Sequence, residues 1–96
     1  MKTFNARIST GNGTYRIEVI PYRKEFVIHG YTFAVHKKYG DDRFWVVSEV
    51  TSGGIAYRGG ESMKETIDAA KRKIGGLSKE RIKQAIVLLE ATGKEG

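Results

Sequence analysis

Apolar and polar residues alternate with period two through the start of the chain. Phe4, Ala6 and Ile8 interleave with Asn5, Arg7 and Ser9, and Tyr15, Ile17 and Val19 interleave with Arg16 and Glu18. That is the pattern of half-buried strands. Gly11-Asn12-Gly13 lies between the two runs, and Asn-Gly is the strongest short hairpin signal, so residues 3–20 are predicted to form a β-hairpin. A turn centred on Asn12-Gly13 sets Ile8 across from Ile17 and Ala6 across from Val19. One centred on Gly11-Asn12 slides the register by two and keeps the same faces together. Either way the apolar faces are expected to match.

Pro21 ends this hairpin because it has no N–H for a ladder. Phe26-Val27-Ile28 reads as a short strand or the arm of a bend, and His29-Gly30 after it as a bulge. Strands are predicted near 31–37, 43–51 and 55–58, with turns on Lys37-Lys38-Tyr39-Gly40-Asp41-Asp42 and on Gly53-Gly54. In the 43–51 strand Phe44 and Trp45 point to opposite faces, which leaves at least one ring exposed or over an edge. Glu49, the lone acid there, is expected on the solvent face.

Helical periodicity then takes over. Ser62, with Glu65 three residues on, opens a helix over 62–74 whose apolar stripe is Met63, Ile67, Ala70 and Ile74. Gly75-Gly76 occupies the usual place of a left-handed C-cap. Ser78 caps a second helix over 78–92, with Leu77 and Ile82 placed as a staple. Ile82, Ala85, Ile86 and Leu89 are its predicted buried face, Val87 and Leu88 widen it, and Gly93 stops it ahead of a fraying Lys94-Glu95-Gly96. Strands first and helices afterwards predict a single α+β domain over 1–96, an antiparallel meander of four or five strands followed by two helices.

Composition narrows the function. The 96 residues contain no cysteine, which removes disulfide frameworks and zinc–thiolate sites. No signal-peptide h-region and no apolar run of membrane-spanning length is found, so a cytoplasmic location is expected and a membrane partner is not. Net charge is +6, which favours polyanions or acidic protein faces as partners. His29 and His36 are the only histidines, and Lys37-Lys38 beside the latter repels a cation, so no metal or cofactor is expected. No Gly-x-Ser-x-Gly turn or other catalytic constellation is present, and the Gly59-Gly60 loop before the helix carries Glu61 and Glu65 where a phosphate would sit. A non-enzyme is expected.

The basic residues carry the binding signal. Lys71, Arg72, Lys73, Lys79, Arg81 and Lys83 fall in one short stretch. The first three suit a helix C-terminus, whereas cations opening the second helix oppose its dipole. If the Gly75-Gly76 turn brings the helix ends together, the six form one basic corner. A second set mixes aromatic and basic residues at Tyr22-Arg23-Lys24, His36-Lys37-Lys38-Tyr39, Arg43-Phe44-Trp45 and Tyr57-Arg58. Such mixtures bind single-stranded nucleic acid, with rings stacking on bases and cations following phosphates. Lys37, Lys38, Tyr39, Arg43, Trp45 and Arg58 are therefore a candidate second face.

Phe33-Ala34-Val35-His36-Lys37, Trp45-Val46-Val47-Ser48-Glu49, Thr51-Ser52-Gly53 and Gly60-Glu61-Ser62-Met63-Lys64-Glu65 together resemble small accessory proteins of phages and mobile elements, over residues 31–74. The strand–strand–strand–helix order is also similar to double-stranded-RNA-binding domains and HicB-type antitoxins. The first helix of the former and the Pro-Gly-Cys-type strand of the latter have no counterpart here. What the phage-type resemblance implies is a small counter-defence protein, of the class that includes anti-CRISPR inhibitors, acting by stoichiometric binding to a nuclease, its guide RNA or its DNA channel. The expected activity is non-catalytic engagement of nucleic acid or of a nucleoprotein or host defence protein. An antitoxin-like protein–protein regulator and a plain RNA- or DNA-binding domain are the alternatives. Monomer and homodimer both stay open.

Overall fold

The computed structural model describes residues 2–90. Two strands, β1 (Thr3–Gly11) and β2 (Thr14–Pro21), form the hairpin. Four more, β3 (Lys24–Ile28), β4 (Tyr31–Lys38), β5 (Asp41–Glu49) and β6 (Ile55–Arg58), form an antiparallel meander in the order β3-β4-β5-β6. Helices α1 (Met63–Gly75) and α2 (Lys79–Glu90) follow. The α+β class is as predicted, with six strands instead of four or five. The end of the second helix at 92 and the Gly93 stop lie outside the described residues.

The hairpin turn sits on Asn12-Gly13, both at positive φ, as a type I′ turn demands. Its register is not the expected one. Gly11 pairs with Thr14 but Ser9 pairs with Tyr15, so Thr10 is an extra residue on β1. From there on Ala6 faces Glu18, and Arg7 faces Ile17. A one-residue slip turns a strand's side chains over relative to its partner, so the two apolar sets end on opposite faces. Phe4 and Ala6 are buried, whereas Ile17 and Val19 are 40% and 66% exposed.

His29-Gly30 is a second turn of the same kind, with φ +55° and +84°, and it joins β3 to β4 with Ile28 opposite Tyr31. Residues 26–28 thus belong to a true strand, and the expected bulge is a hairpin turn.

Cross-strand partners share a face, which assigns the two sides of the meander. Phe33, Val35, Trp45 and Val47 face one way and pack with Ala70, Ile74, Ile82 and Ile86 of the helices. Ala34, His36, Val46 and Ser48 face the other way, where Phe4 and Ala6 of the hairpin close over them with Ile8, Ile20 and Tyr22. The layers run hairpin, sheet, helices.

Ser62 Oγ accepts from Glu65 N and Ser78 Oγ from Arg81 N, so both helices begin on the predicted caps. The left-handed C-cap is absent: α1 runs through Gly75, and Gly76 stays right-handed at φ −80° while its N–H reaches Arg72 O. Met63 and Ile67 are half-buried and Thr66 joins the buried face, held by Gly60 N–H donating to its hydroxyl. On α2 the buried face is narrower than predicted. Ile82 and Ile86 are buried and Leu89 half-buried, but Ala85, Val87 and Leu88 are exposed because the sheet meets only one side of the helix.

Glu49 is the largest departure. It is 4% exposed, and its carboxylate accepts from Thr51 N at 2.7 Å and Ser52 N at 2.8 Å. It folds the β5–β6 loop back under α2, which requires a buried acceptor and not a solvated acid. Gly53, at φ +73° in that loop, gives its carbonyl to Arg7 N at 2.8 Å. A Cβ there would collide with the Asn5 carbonyl. Gly53→Ala should therefore cost about 2–4 kcal/mol, combining left-handed strain with overpacking. Urea unfolding checks this; a loss of only a few tenths would mean the loop gives way.

Candidate nucleic-acid interface

The helix junction does not gather all six predicted cations into one corner. The Lys71 ammonium lies 5.6 Å from the Phe26 ring, on β3, whereas the Lys73 ammonium lies 5.8 Å from the Tyr57 ring, on β6. Those are the two outer strands of the meander, so the lysines diverge across the sheet. Arg72 lines a cavity with Glu65 and Asp68. On α2 residues four apart share a face, so Lys79 and Lys83 stand together. Arg81 is turned roughly 200° from Lys79 at about 100° per residue. All six cations are exposed, but they point in several directions.

The second predicted set divides as well. Trp45 is buried against the helices, with the Lys37 ammonium 4.2 Å from its ring, so it offers no stacking face. Arg43 is held by Asp41, with Nε 3.0 Å from Oδ1 and Nη2 2.9 Å from Oδ2, and that hydrogen bonding holds the Asp41 carboxyl below its usual range. Lys38, Tyr39 and Arg58 remain, and these three do converge. All lie toward the hairpin side of the meander, around a cleft of about 180 Å³ that Ala6, Arg7, Ile8 and Ile20 roof over. A second cleft, of about 290 Å³, shares Ile20, Lys38 and Tyr39 and adds Arg23 and Lys37.

Neither cleft has a carboxylate in its lining. None of Arg23, Lys37, Lys38 and Arg58 forms an ion pair among the described residues. Tyr39 is 47% exposed between them, with its hydroxyl accepting from Arg16 Nη2 at 3.4 Å. Arg7 is the exception among the lining cations. Its Nη1 donates to Leu89 O at 2.7 Å and its Nε to Ser52 O at 3.2 Å, and its guanidinium covers the Tyr15 ring at 3.6 Å. It ties the hairpin to the end of α2 and is committed to the fold.

At the base of the first cleft lies a polar pair not anticipated from sequence. His36 Nδ1 is 2.7 Å from Lys37 O, and Nε2 is 2.7 Å from Ser48 Oγ. A carbonyl only accepts, so Nδ1 carries the proton and neutral Nε2 accepts from the Ser48 hydroxyl. The order base, hydroxyl and orienting acceptor is that of an activated nucleophile. Here, however, Ser48 is only 1% exposed near the end of β5, beneath the hairpin. Phe4 packs on the imidazole, with ring centroids 5.1 Å apart. The pair satisfies two polar groups between layers, and it positions β4 against β5 where the hairpin sits. Only the pairing register, which brings position 36 near 48, could have revealed it.

The chain matches no protein-family model, no curated protein and no solved structure.

Burial pushes the His36 pKa below its ordinary value of 6.5. In the unfolded chain the imidazole takes up a proton near that value; in the folded protein it does so only at lower pH. Stability is therefore unaffected by this group above about pH 7 and is lost as pH falls through 6.5 toward the folded pKa, by up to about 1.4 kcal/mol per pH unit. His36→Gln should flatten that part of the stability–pH curve in urea unfolding. An unchanged slope would assign the loss elsewhere.

Proposed function

We propose that this protein is a non-catalytic binder of single-stranded nucleic acid. The reading rests on one observation: Arg23, Lys38 and Arg58 gather round exposed Tyr39 on two adjoining clefts whose lining holds no carboxylate. Cations without ion pairs attract phosphates and release counterions, and an exposed ring provides a stacking platform for an unpaired base. A duplex hides its base faces, so the Tyr39 ring favours single strands. The phage-type resemblance supplies a setting, in which the protein acts as a counter-defence inhibitor that occupies the guide RNA or a strand of a nuclease complex stoichiometrically.

A second reading, a protein-binding regulator, draws support from a different place. An apolar groove of about 290 Å³ runs between α2 and β6, with Ile55 and Leu77 exposed along its walls. A protein partner held there would bind with weak salt dependence.

Fluorescence anisotropy with labelled single-stranded RNA and DNA and with duplexes tests the first reading. Single strands should win, with a log–log salt slope of about 2–3 for three or four phosphate contacts at ~0.7 each. Tyr39→Ala should cost about 1–3 kcal/mol of binding. The pair Lys38→Glu and Arg58→Glu should weaken binding at least about tenfold, and Lys79→Glu with Lys83→Glu should change it by less than about threefold. Equal losses from both pairs would remove the cleft from the reading. No binding at low salt, together with nuclease-resistant capture of a host protein, would transfer the function to the groove.

A further inference from the structure

We infer that the outer edge of β2, which pairs with no strand among the described residues, is a homodimer interface in which two copies pair antiparallel about a two-fold axis through Ile17. This goes beyond nucleic-acid binding and does not depend on it. In the hairpin, Arg7 is opposite Ile17, but the Arg7 N–H points away from β2 and donates to Gly53 O. Antiparallel pairs alternate between hydrogen-bonded and non-hydrogen-bonded, so Arg7–Ile17 is of the second kind. The Ile17 N–H and C=O therefore face outward at the edge, and so do those of Tyr15 and Val19. At the other end Tyr22 N donates to Lys2 O at 3.0 Å, which fits the same alternation. The missing N–H of Pro21 then also falls on the outer side, where it interrupts no bond within the hairpin.

The edge is regular from Tyr15 to Pro21, with the bulge confined to β1 at Thr10. It is the outermost strand of its two-stranded sheet, and it exposes Ile17 and Val19. Exposed apolar edges are normally blunted by bulges, charge or cover, unless they pair. The sequence Tyr15-Arg16-Ile17-Glu18-Val19 also reads with opposite charges on either side of its centre. A two-fold axis on Ile17 sets Arg16 opposite the partner's Glu18, Ile17 opposite the partner's Ile17, and Tyr15 opposite the partner's Val19. Opposite charges and aromatic–β-branched pairs are favourable cross-strand neighbours. Arg16 Nε already lies 3.0 Å from Glu18 Oε1 within the chain, so two copies would close a ring of four alternating charges. The occupant is a second copy because only a two-fold repeats both complementary pairs at once. The edges of β3 and β6 lack this property: neither flanks its central residue with an Arg and a Glu.

Sedimentation velocity over a concentration series, without nucleic acid, tests it on the full chain. The expected result is a monomer–dimer equilibrium. Glu18→Arg or Arg16→Glu alone places like charges across the axis and should weaken the dimer about tenfold or more. The double variant R16E/E18R exchanges the two charges and should restore the dimer to within about threefold of the original. The pair is exposed, so the single variants keep the fold, which circular dichroism verifies. A monomer at near-millimolar concentration overturns the inference, as does a dimer indifferent to the single variants or one that the double variant fails to restore.

Discussion

Everything in this fold follows from β4 and β5 being buried on both faces. Phe33 to His36 and Trp45 to Glu49 are unbroken buried runs, and such strands need a layer on each side. The helices supply one layer and the hairpin the other. Trp45, Val47, Phe33 and Val35 account for the helix side. Small or polar residues on the hairpin side, Ala34, His36 and Ser48, let the second layer approach closely. The two polar groups there are tolerable only because each satisfies the other or a backbone carbonyl. The loop after β5 obeys the same demand, since Glu49 is buried with both its oxygens accepting backbone N–H groups.

This arrangement explains what could and could not be read from the residues alone. Periodicity and caps identified the hairpin, the meander and both helices, since Asn12-Gly13, Ser62 and Ser78 act through local geometry. Alternation was misleading for β5. It places Phe44 and Trp45 on opposite faces, correctly, and leaves Phe44 partly exposed, but Glu49 is buried with Trp45 on the face the helices cover. The hairpin failed for a different reason. A bulge at Thr10 has no strong local signature, yet one extra residue reverses which side of β2 faces the sheet relative to β1. The burial of Glu49 depends on the loop it caps and on α2 above it, neither of which its strand position shows.

The candidate site shows the same limit in charge. Six cations close together in sequence look like a patch, but a helix places consecutive residues about 100° apart, and Lys71 and Lys73 end at opposite edges of the sheet. Strands and tight turns concentrate charge differently. Lys38 ends β4 and Tyr39 sits in the β4–β5 turn, and Arg58 lies opposite Val46. They converge through strand pairing across positions twenty residues apart. The aromatic–basic interleaving falls at strand ends, where the register gathers side chains and does not disperse them.

The cleft has a further physical property: its two walls are separate layers. The meander contributes Lys38, Tyr39 and Arg58, and the hairpin contributes Ile8 and Ile20. Its width is thus set by what holds the layers together, namely the Phe4–His36 packing, the His36–Ser48 hydrogen bond, and Arg7 reaching Ser52 and Leu89. Arg7 is cationic and lines the cleft, yet its hydrogen bonds bind it to the scaffold, where it adds positive potential without being free to follow a phosphate. A site built this way divides its charges by role. Those on the hairpin side fix the geometry, and those at the strand ends are left exposed, where a ligand could reach them. Substitutions on the two sides should accordingly be separable, with the first group acting on stability and the second on binding.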